Sequence, residues 1–425
     1  MNNKYSFILY ISLCVFALVF PFSSPTIPYL NLTPSILAFS LLIWILGLNF
    51  KQKFHQIKTN RALLPFLTCS GLYILYAIGL LYSNNLSFGL NDIFLKVPLL
   101  LFPLIIFSMD MEIWTRKRVS NLLKLFVIGN LIAIIASIIH SCVLYLEYPA
   151  FSQFHYINAS MFHHPSYASM FYCFSFAIIV YFLLNEKNAR WEKVVGSIAL
   201  IVFSVEIILL DSRAGILAFG FVLLTFGLYI ILYKRHLLSK ILLILLCTTI
   251  ALAGTYKFIP KGINRLTSSV KSMDKESFST SDPQKTNVRI LIWDASTKVA
   301  LKNLPLGVGT GDIKDELLKQ YTEEGYKEPY EEQHNAHCQY LQIFATLGII
   351  GIFLFLAIII LPFWTGFTKR NILYLIFGII ITTNFLVESM LEKQVGVMFF
   401  CFFFSMMYII SQNKLFKDNT VIEKR

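Results

Sequence analysis

Residues 193–233 read KVVGSIALIVFSVEIILLDSRAGILAFGFVLLTFGLYIILY, and this stretch decides the fold. Its two halves are apolar nearly all round, and Asp211-Ser212-Arg213 alone separates them. A bilayer core requires roughly 20 apolar residues per helix, with about 17–25 tolerated. The stretch therefore predicts two membrane-crossing helices, 193–210 and 213–233, joined by a tight hairpin at one membrane face. Strands of a β-barrel would instead show short alternating apolar and polar positions.

Outward from this hairpin the same pattern recurs, giving about twelve expected spans. They lie near 5–22, 34–50, 63–82, 93–108, 120–146, 164–184, 193–210, 213–233, 239–257, 339–363, 371–388 and 395–411. The composition agrees: 56% of the residues are hydrophobic and 14% charged, against roughly 25% charged in a soluble domain. The first apolar run, Tyr5 to Phe20, is followed by Pro21-Phe22-Ser23-Ser24-Pro25 and not by a small-residue cleavage site, so it reads as a span and not a signal peptide. Seven cysteines (14, 69, 142, 173, 247, 338 and 401) lie scattered with no CxxC spacing, which indicates neither a disulfide framework nor a zinc site.

Lys and Arg orient the chain. With the N-terminus inside, the cytoplasmic loops and termini hold 20 of them, at Lys4, 51–61, 116–118, 187–193, 234–240, 369–370 and 414–425. The short outer loops hold Arg213 and Lys393 at span edges, and 83–92 and 147–163 hold none. This is the positive-inside pattern. It accounts for the net charge of +12 through topology and removes the case for a nucleic-acid partner.

The expected organisation is 1–258 as nine spans, 259–338 as a large outer loop, 339–411 as three further spans, and 412–425 as a cytoplasmic tail. The large loop has eleven Lys/Arg and twelve Asp/Glu. Connections longer than about 12–15 residues tend to be functional or disordered. Residues 268–287, rich in Ser, Lys, Asp and Thr, read as mobile. Residues 288–301 place Ile290, Leu291, Trp293 and Val299 at roughly helical spacing, which predicts an amphipathic helix lying on the membrane surface. Pro305 to Gly311 then predicts a turn that folds the loop back, and Asp312 opens a second short helix with Glu316 early in it. No strand precedes the glycines and no Gly-Lys-Ser/Thr follows, so a nucleotide loop is not indicated.

Charges and imidazoles at membrane edges are the candidates for chemistry, because burying them is costly unless they are paired or act. Arg213 at the hairpin tip is either an anion site, its planar fork matching phosphate oxygens, or an arginine reaching lipid phosphates or pairing with Asp211. Arg289, taken alone, reads as a solvated charge. His334 and His337, three apart where the loop re-enters the bilayer, suit either a metal site completed by Glu331 or Glu332, or a general base near pH 7. His163 and His164, before Pro165, read as capping or packing residues. Glu206, deep in the seventh span, stands alone as a charge that a transporter would use.

Taken together, Ser212-Arg213-Ala214-Gly215, Arg289 with Trp293, Pro305-Leu-Gly-Val-Gly-Thr-Gly311, and His337 followed by Tyr340-Leu341-Gln342, Leu347-Gly348 and Gly351 resemble the O-antigen ligase and polymerase superfamily. His164-Pro165 and Glu388-Ser-Met-Leu-Glu392 with Phe399-Phe400 are similar to secondary features of it. Cys338 departs from the asparagine that many members place after the histidine.

The resemblance implies an all-α, GT-C-like glycosyltransferase of the bacterial inner membrane, metal-independent and without a cofactor, its active site facing the periplasm. Such enzymes move a glycan from undecaprenyl-pyrophosphate to an acceptor hydroxyl. By resemblance, Arg213 and Arg289 hold the pyrophosphate, His337 is the catalytic base, and His334, Ser212, His164 and Glu388 support them. Ligase-type transfer to lipid A-core is the first expectation for the acceptor. Polymerase transfer to a second lipid-linked glycan, or transfer to protein, follows it. A lipid-linked glycan flippase or exporter is the alternative of another class, but the candidate residues cluster at one face whereas an alternating-access path needs charged or broken helices near the midplane.

Topology is testable without any enzymology. A cysteine introduced at Ser279 should react with an impermeant thiol reagent in intact spheroplasts, and one at Lys187 should be spared; the opposite pattern would invert the orientation.

Overall fold

The computed structural model describes residues 3–24, 27–186, 188–233 and 287–413. Among these residues every regular element is helical. The N-terminal part contains α1 (Asn3–Val19), α2 (Thr33–Leu46), α3 (Phe50–Thr59), α4 (Leu63–Leu80), α5 (Leu86–Lys96) and α6 (Pro98–Phe107). Next come α7 (Arg116–Glu147), α8 (Pro165–Asn185), α9 (Arg190–Leu209) and α10 (Arg213–Tyr233). After the undescribed stretch follow three short helices, α11 (Val288–Lys302), α12 (Ile313–Glu324) and α13 (Lys327–Glu331), then α14 (Gln339–Lys369), α15 (Ile372–Val387) and α16 (Gln394–Gln412).

Eight of the described helical segments are long and apolar enough to cross a membrane, and the bent pair α2–α3 would make a ninth. The protein is therefore a multi-pass membrane protein. Eleven of the twelve expected apolar segments coincide with helices; the remaining one, 239–257, lies outside the described residues, as do 259–286, most of the 268–287 stretch, and 414–425. Several boundaries differ from the sequence expectation, and two of them have a local cause. The segment expected at 93–108 begins at Leu86, because α5 and α6 form one span of 22 residues. Pro98, which has no N–H to offer, stands in the first turn of α6 where none is needed. The segment expected at 34–50 stops at Leu46, and the chain bends by 108° into α3. Leu48 and Asn49, both at positive φ, make that bend.

α16 is the centre of the bundle, with 94% of its apolar window buried, against 39% for α4 and α10 at the rim. In lipid, helices gain little by hiding apolar surface from one another, so close packing must supply the attraction. Phenylalanines supply it here. Phe403 packs edge-on to Phe126 at 4.6 Å and to Phe174 at 4.8 Å between ring centroids. Such pairs are worth about 0.5–1.5 kcal/mol beyond the area they bury.

The loops assigned to opposite faces meet at opposite ends of the bundle. At one end Asp312 accepts hydrogen bonds from the Asn84 and Asn85 N–H groups, and Asp211 lies 3.7 Å from His155. At the other, the Tyr408 hydroxyl donates to the Arg61 carbonyl and the Asn413 amide to that of Trp114. Residues 287–338 cap the first end. Contrary to the sequence expectation, α11 does not lie on a membrane surface. Its apolar face, Leu291, Ile292, Ala295 and Val299, is buried against Ile313, Leu317, Tyr321 and Tyr326 of the same cap and against Ala345 of α14. The pattern that reads as lipid-facing is answered by protein.

The glycine turn secures the cap. α14 is interrupted at Gly348, where φ is +63°. Backbone from the turn replaces the missing helical partners: Val308 N–H donates to Ala345 O, Gly309 N–H to Thr346 O, and Ile349 N–H to Pro305 O. Across the turn, the Thr310 hydroxyl donates to Tyr76 O at 2.5 Å and the Gly311 N–H to the Ser83 hydroxyl. A Cβ on Gly348 would fall 1.9 Å from the Pro305 oxygen.

Gly348→Ala should therefore lower the melting temperature of the detergent-solubilised protein, by roughly 1–3 kcal/mol of strain or more. Gly220→Ala, in an open stretch of α10, should leave it unchanged or raise it slightly; equal behaviour of the two variants would contradict the packing described.

Candidate active site

The candidate site forms where the cap runs into α14. In the entry, residues 332–338, the Glu332, Gln333 and His334 N–H groups still bond to backbone carbonyls of residues 328–330, and beyond them side chains take over that task. Asn335 Oδ1 accepts the His337 N–H at 3.0 Å, and Gln342 Oε1 accepts the Ala336 N–H at 3.1 Å. The Tyr321 hydroxyl donates to His334 O, and Trp293 Nε1 donates to His337 O at 3.5 Å. These contacts hold His337 at φ +42°.

His337 is bracketed by two groups. Its Nδ1 lies 3.3 Å from Glu388 Oε2, and its Nε2 lies 3.2 Å from His334 Nδ1. Glu388 comes from the short turn between α15 and α16. That turn is tied to the start of α14 twice more: the Cys338 N–H donates to the Ser389 hydroxyl, and the Leu391 N–H to Gln339 Oε1 at 2.7 Å. Burial pushes the Glu388 carboxyl upward, but the bond to His337 and the charges of His337, Arg289 and His164 outweigh it, and the carboxyl is held below its ordinary range. His334 moves down through burial and then through the neighbouring His337.

Arg289 occupies the first turn of α11, half-buried, with its N–H capped by Asn287 Oδ1. His164 caps α8: its Nδ1 accepts the Ser166 N–H at 3.4 Å, and burial lowers its basicity. His163 is a packing residue, buried against Phe171 at 5.5 Å between ring centroids and pushed down to about 4 by burial. Arg213 is exposed on the first turn of α10, where Ser212 Oγ accepts the Gly215 N–H. Gly215 lets that turn press against α8, since a Cβ there would lie 2.3 Å from Ser169 Oγ. The fold thus gathers His337, His334, Glu388, Arg289 and His164 into one electrostatic group. Arg213 and Ser212 stand one helix away, across the N-terminus of α8.

Residues 198–356 match the family model described as O-Antigen ligase. Over that stretch the chain is similar to this family. Members of the family are glycosyltransferase-like enzymes, and the matched stretch includes Ser212, Arg213, Arg289, His334 and His337. His164 and Glu388 lie outside the matched stretch and reach it only through folding. No curated protein matches the chain.

At this site the chemistry available is proton transfer beside an anion. A carboxylate on Nδ1 fixes that nitrogen as the N–H and leaves the Nε2 lone pair as the basic one, the same logic by which a carboxylate orients a catalytic histidine elsewhere. Among the described residues no group of three or more His, Cys, Asp or Glu side chains is arranged to hold a metal ion.

One cluster escaped the sequence reading. Lys96 is fully buried, bonded to Asp92 and 3.2 Å from Glu392 Oε2. Burial, opposed by Lys96 and reinforced by Asp92, pushes the Glu392 carboxyl up to about 7. The available signal was a lysine inside an apolar run with an aspartate four residues before it, one helical turn away.

The Glu388 shift has a consequence for stability. A carboxyl held below its ordinary value stabilises the fold above that value and loses the contribution as pH falls through the folded one. Wild type should therefore melt higher than Glu388→Gln at about pH 6, and the gap should close as the buffer is taken below the ordinary carboxylate range. A gap that is constant with pH would remove the ionised Glu388 from the account.

Proposed function

We propose that this protein is an inverting, metal-independent glycosyltransferase of O-antigen ligase type, working at the periplasmic face of the bacterial inner membrane. The donor is a glycan on undecaprenyl-pyrophosphate and the acceptor is a hydroxyl of lipid A-core. The observation that carries this reading is the imidazole of His337, held between Glu388 on Nδ1 and His334 on Nε2.

In the reaction, the acceptor hydroxyl attacks the anomeric carbon as Nε2 removes its proton. The new carbon–oxygen bond forms while the bond to pyrophosphate breaks, and the electron pair leaves on the lipid pyrophosphate. Positive groups aimed where that charge develops lower the barrier. Arg289, whose charge acts on Glu388, and Arg213, on the first turn of α10, are the groups assigned this task. A single displacement inverts the anomeric configuration. His334 assists His337, His164 and Ser212 shape the turns that carry the site, and the apolar flanks of α10 and α14 face lipid, where the polyprenyl chain resides. An apolar groove of about 350 Å³ between α10, α14 and α15 lies at the opposite end, around Tyr233 and Arg370.

Transfer by the purified protein from a defined lipid-pyrophosphate glycan, offered lipid A-core, a second lipid-linked glycan or a peptide, tests the reading. Lipid A-core should be glycosylated, and chelator should leave the rate unchanged. His337→Ala should lose about 10²–10⁴ in rate while still binding donor, and His334→Ala should lose less. Arg213→Lys keeps the charge but not the fork and should stay impaired. Turnover of only the second lipid-linked glycan would make the protein a polymerase, and near-normal turnover in His337→Ala would remove the base.

A further inference from the structure

Beside His334, whose Nδ1 meets His337 Nε2, lies a cleft with polar groups in its walls. The cleft has a volume of about 280 Å³ and lies between α5, the N-terminal half of α12, the 333–335 segment and the turn before α16. Its walls include the His334 ring, Asn91, Gln333, Asp92 and Glu392, with Phe88 among the apolar residues. None of these groups except His334 has a part in the reaction as derived above.

Three features point to one ligand chemistry. The first is position: His334, whose Nδ1 lies 3.2 Å from His337 Nε2, also lines the cleft, so a hydroxyl held there lies next to the ring that touches the base. The second is the donor and acceptor set. Carboxylates accept only, whereas Asn and Gln amides both donate and accept, which suits hydroxyl groups that do the same. The third is size, at the small end of ligand pockets, which run from roughly 300 to 1,000 Å³, enough for one sugar ring with Phe88 as a flat apolar neighbour. The walls are also rigid, because Asp92 and Glu392 are both engaged by the buried Lys96.

We propose that this cleft is the acceptor subsite, seating the sugar ring whose hydroxyl is glycosylated. The inference rests on the transfer reading given above. A sugar of the donor glycan offers the same hydroxyl chemistry, so the test must separate the two.

Asn91 and Gln333 are exposed, so replacing them spares the fold; Gln333 stands at φ +50°, which asparagine tolerates. In steady-state transfer by the full-length protein, the Asn91→Ala/Gln333→Asn variant should raise KM for the acceptor by about tenfold, or roughly 1.4 kcal/mol. Its kcat and its KM for the donor should stay at wild-type values. A rise in donor KM instead would place the donor glycan in the cleft, and unchanged constants would leave the cleft without a sugar; either overturns the proposal. Binding without turnover separates this from failure of the transfer reading. Oligosaccharide released from lipid A-core by mild acid should show saturation-transfer NMR contacts with wild type and with His337→Ala, and should lose them in the double variant. Contacts that persist in the double variant overturn the subsite even where transfer is seen. A wild type that transfers nothing, yet binds this oligosaccharide in the cleft, sinks the transfer reading and upholds the sugar site.

Discussion

A fully buried ammonium must be answered by carboxylates where it lies, and Lys96 imposes that demand on this fold. Removing one partner of a buried pair typically costs about 3–5 kcal/mol, because the other charge is left uncompensated. Asp92 answers from one turn earlier on the same helix, which any helix could arrange. Glu392 answers from nearly 300 residues further along the chain, which only this tertiary structure arranges. The second contact pins the end of the 388–392 turn to α5. α15 holds the other end, and Ser389 and Leu391 are bound to the first residues of α14. Glu388 is therefore not a flexible carboxylate that happens to meet an imidazole. Its backbone is fixed on three sides before His337 is considered.

The cap obeys a different constraint. Residues 287–338 are polar enough to float in water, and what keeps them on the bundle is main chain bonded to main chain. The break in α14 at Gly348 exposes backbone groups that the glycine turn satisfies, and Gly307 at φ +76° brings its own backbone near Thr346 O. An unsatisfied backbone group in such a place would cost about as much as a lost hydrogen bond. Asp312 adds a carboxylate on the α4–α5 connection, so the cap is stapled to α4, α5 and α14 together. The stapling matters because His334 and His337 belong to the last residues of the cap while Glu388 belongs to the bundle.

Periodicity and charge made the spans legible, since a helix in lipid must be apolar all round and its loops must respect the membrane's charge bias. They located eleven helices, and they separated the loops into two sets that do meet at opposite ends. They failed where a segment's partner is protein and not solvent. The apolar face of α11 looks the same whether it meets lipid or α12 and α14. Local signals singled out His337 and Arg213, while Arg289 and Glu388 entered only through the resemblance; nothing local joins His337 to Glu388, 51 residues beyond it. Lys96 was invisible for a related cause: a lysine in an apolar run reads as a span-edge charge until both its carboxylates are in place. The Cys338 side chain has no part in the contacts that hold His337. His337 is oriented by Glu388 on its ring and Asn335 on its backbone, and neither task falls to the residue that follows it.

Glu388 also bears on where a pyrophosphate could rest. Its carboxyl is kept ionised by His337, Arg289 and His164, and a second anion brought against it would be repelled, by about 4 kcal/mol for unit charges 4 Å apart at an effective dielectric of 20. Under the proposed function the leaving group must therefore sit off Glu388, toward the exposed Arg213, with Arg289 shared between the two anions. The acceptor approaches from the His334 side of the imidazole. The anomeric carbon would then lie between a cationic flank and a polar cleft, the order that an in-line displacement requires. On that proposal two arginines would suit this arrangement better than one: Arg289 shares its charge with Glu388, and Arg213 would add a second positive group as the bond breaks.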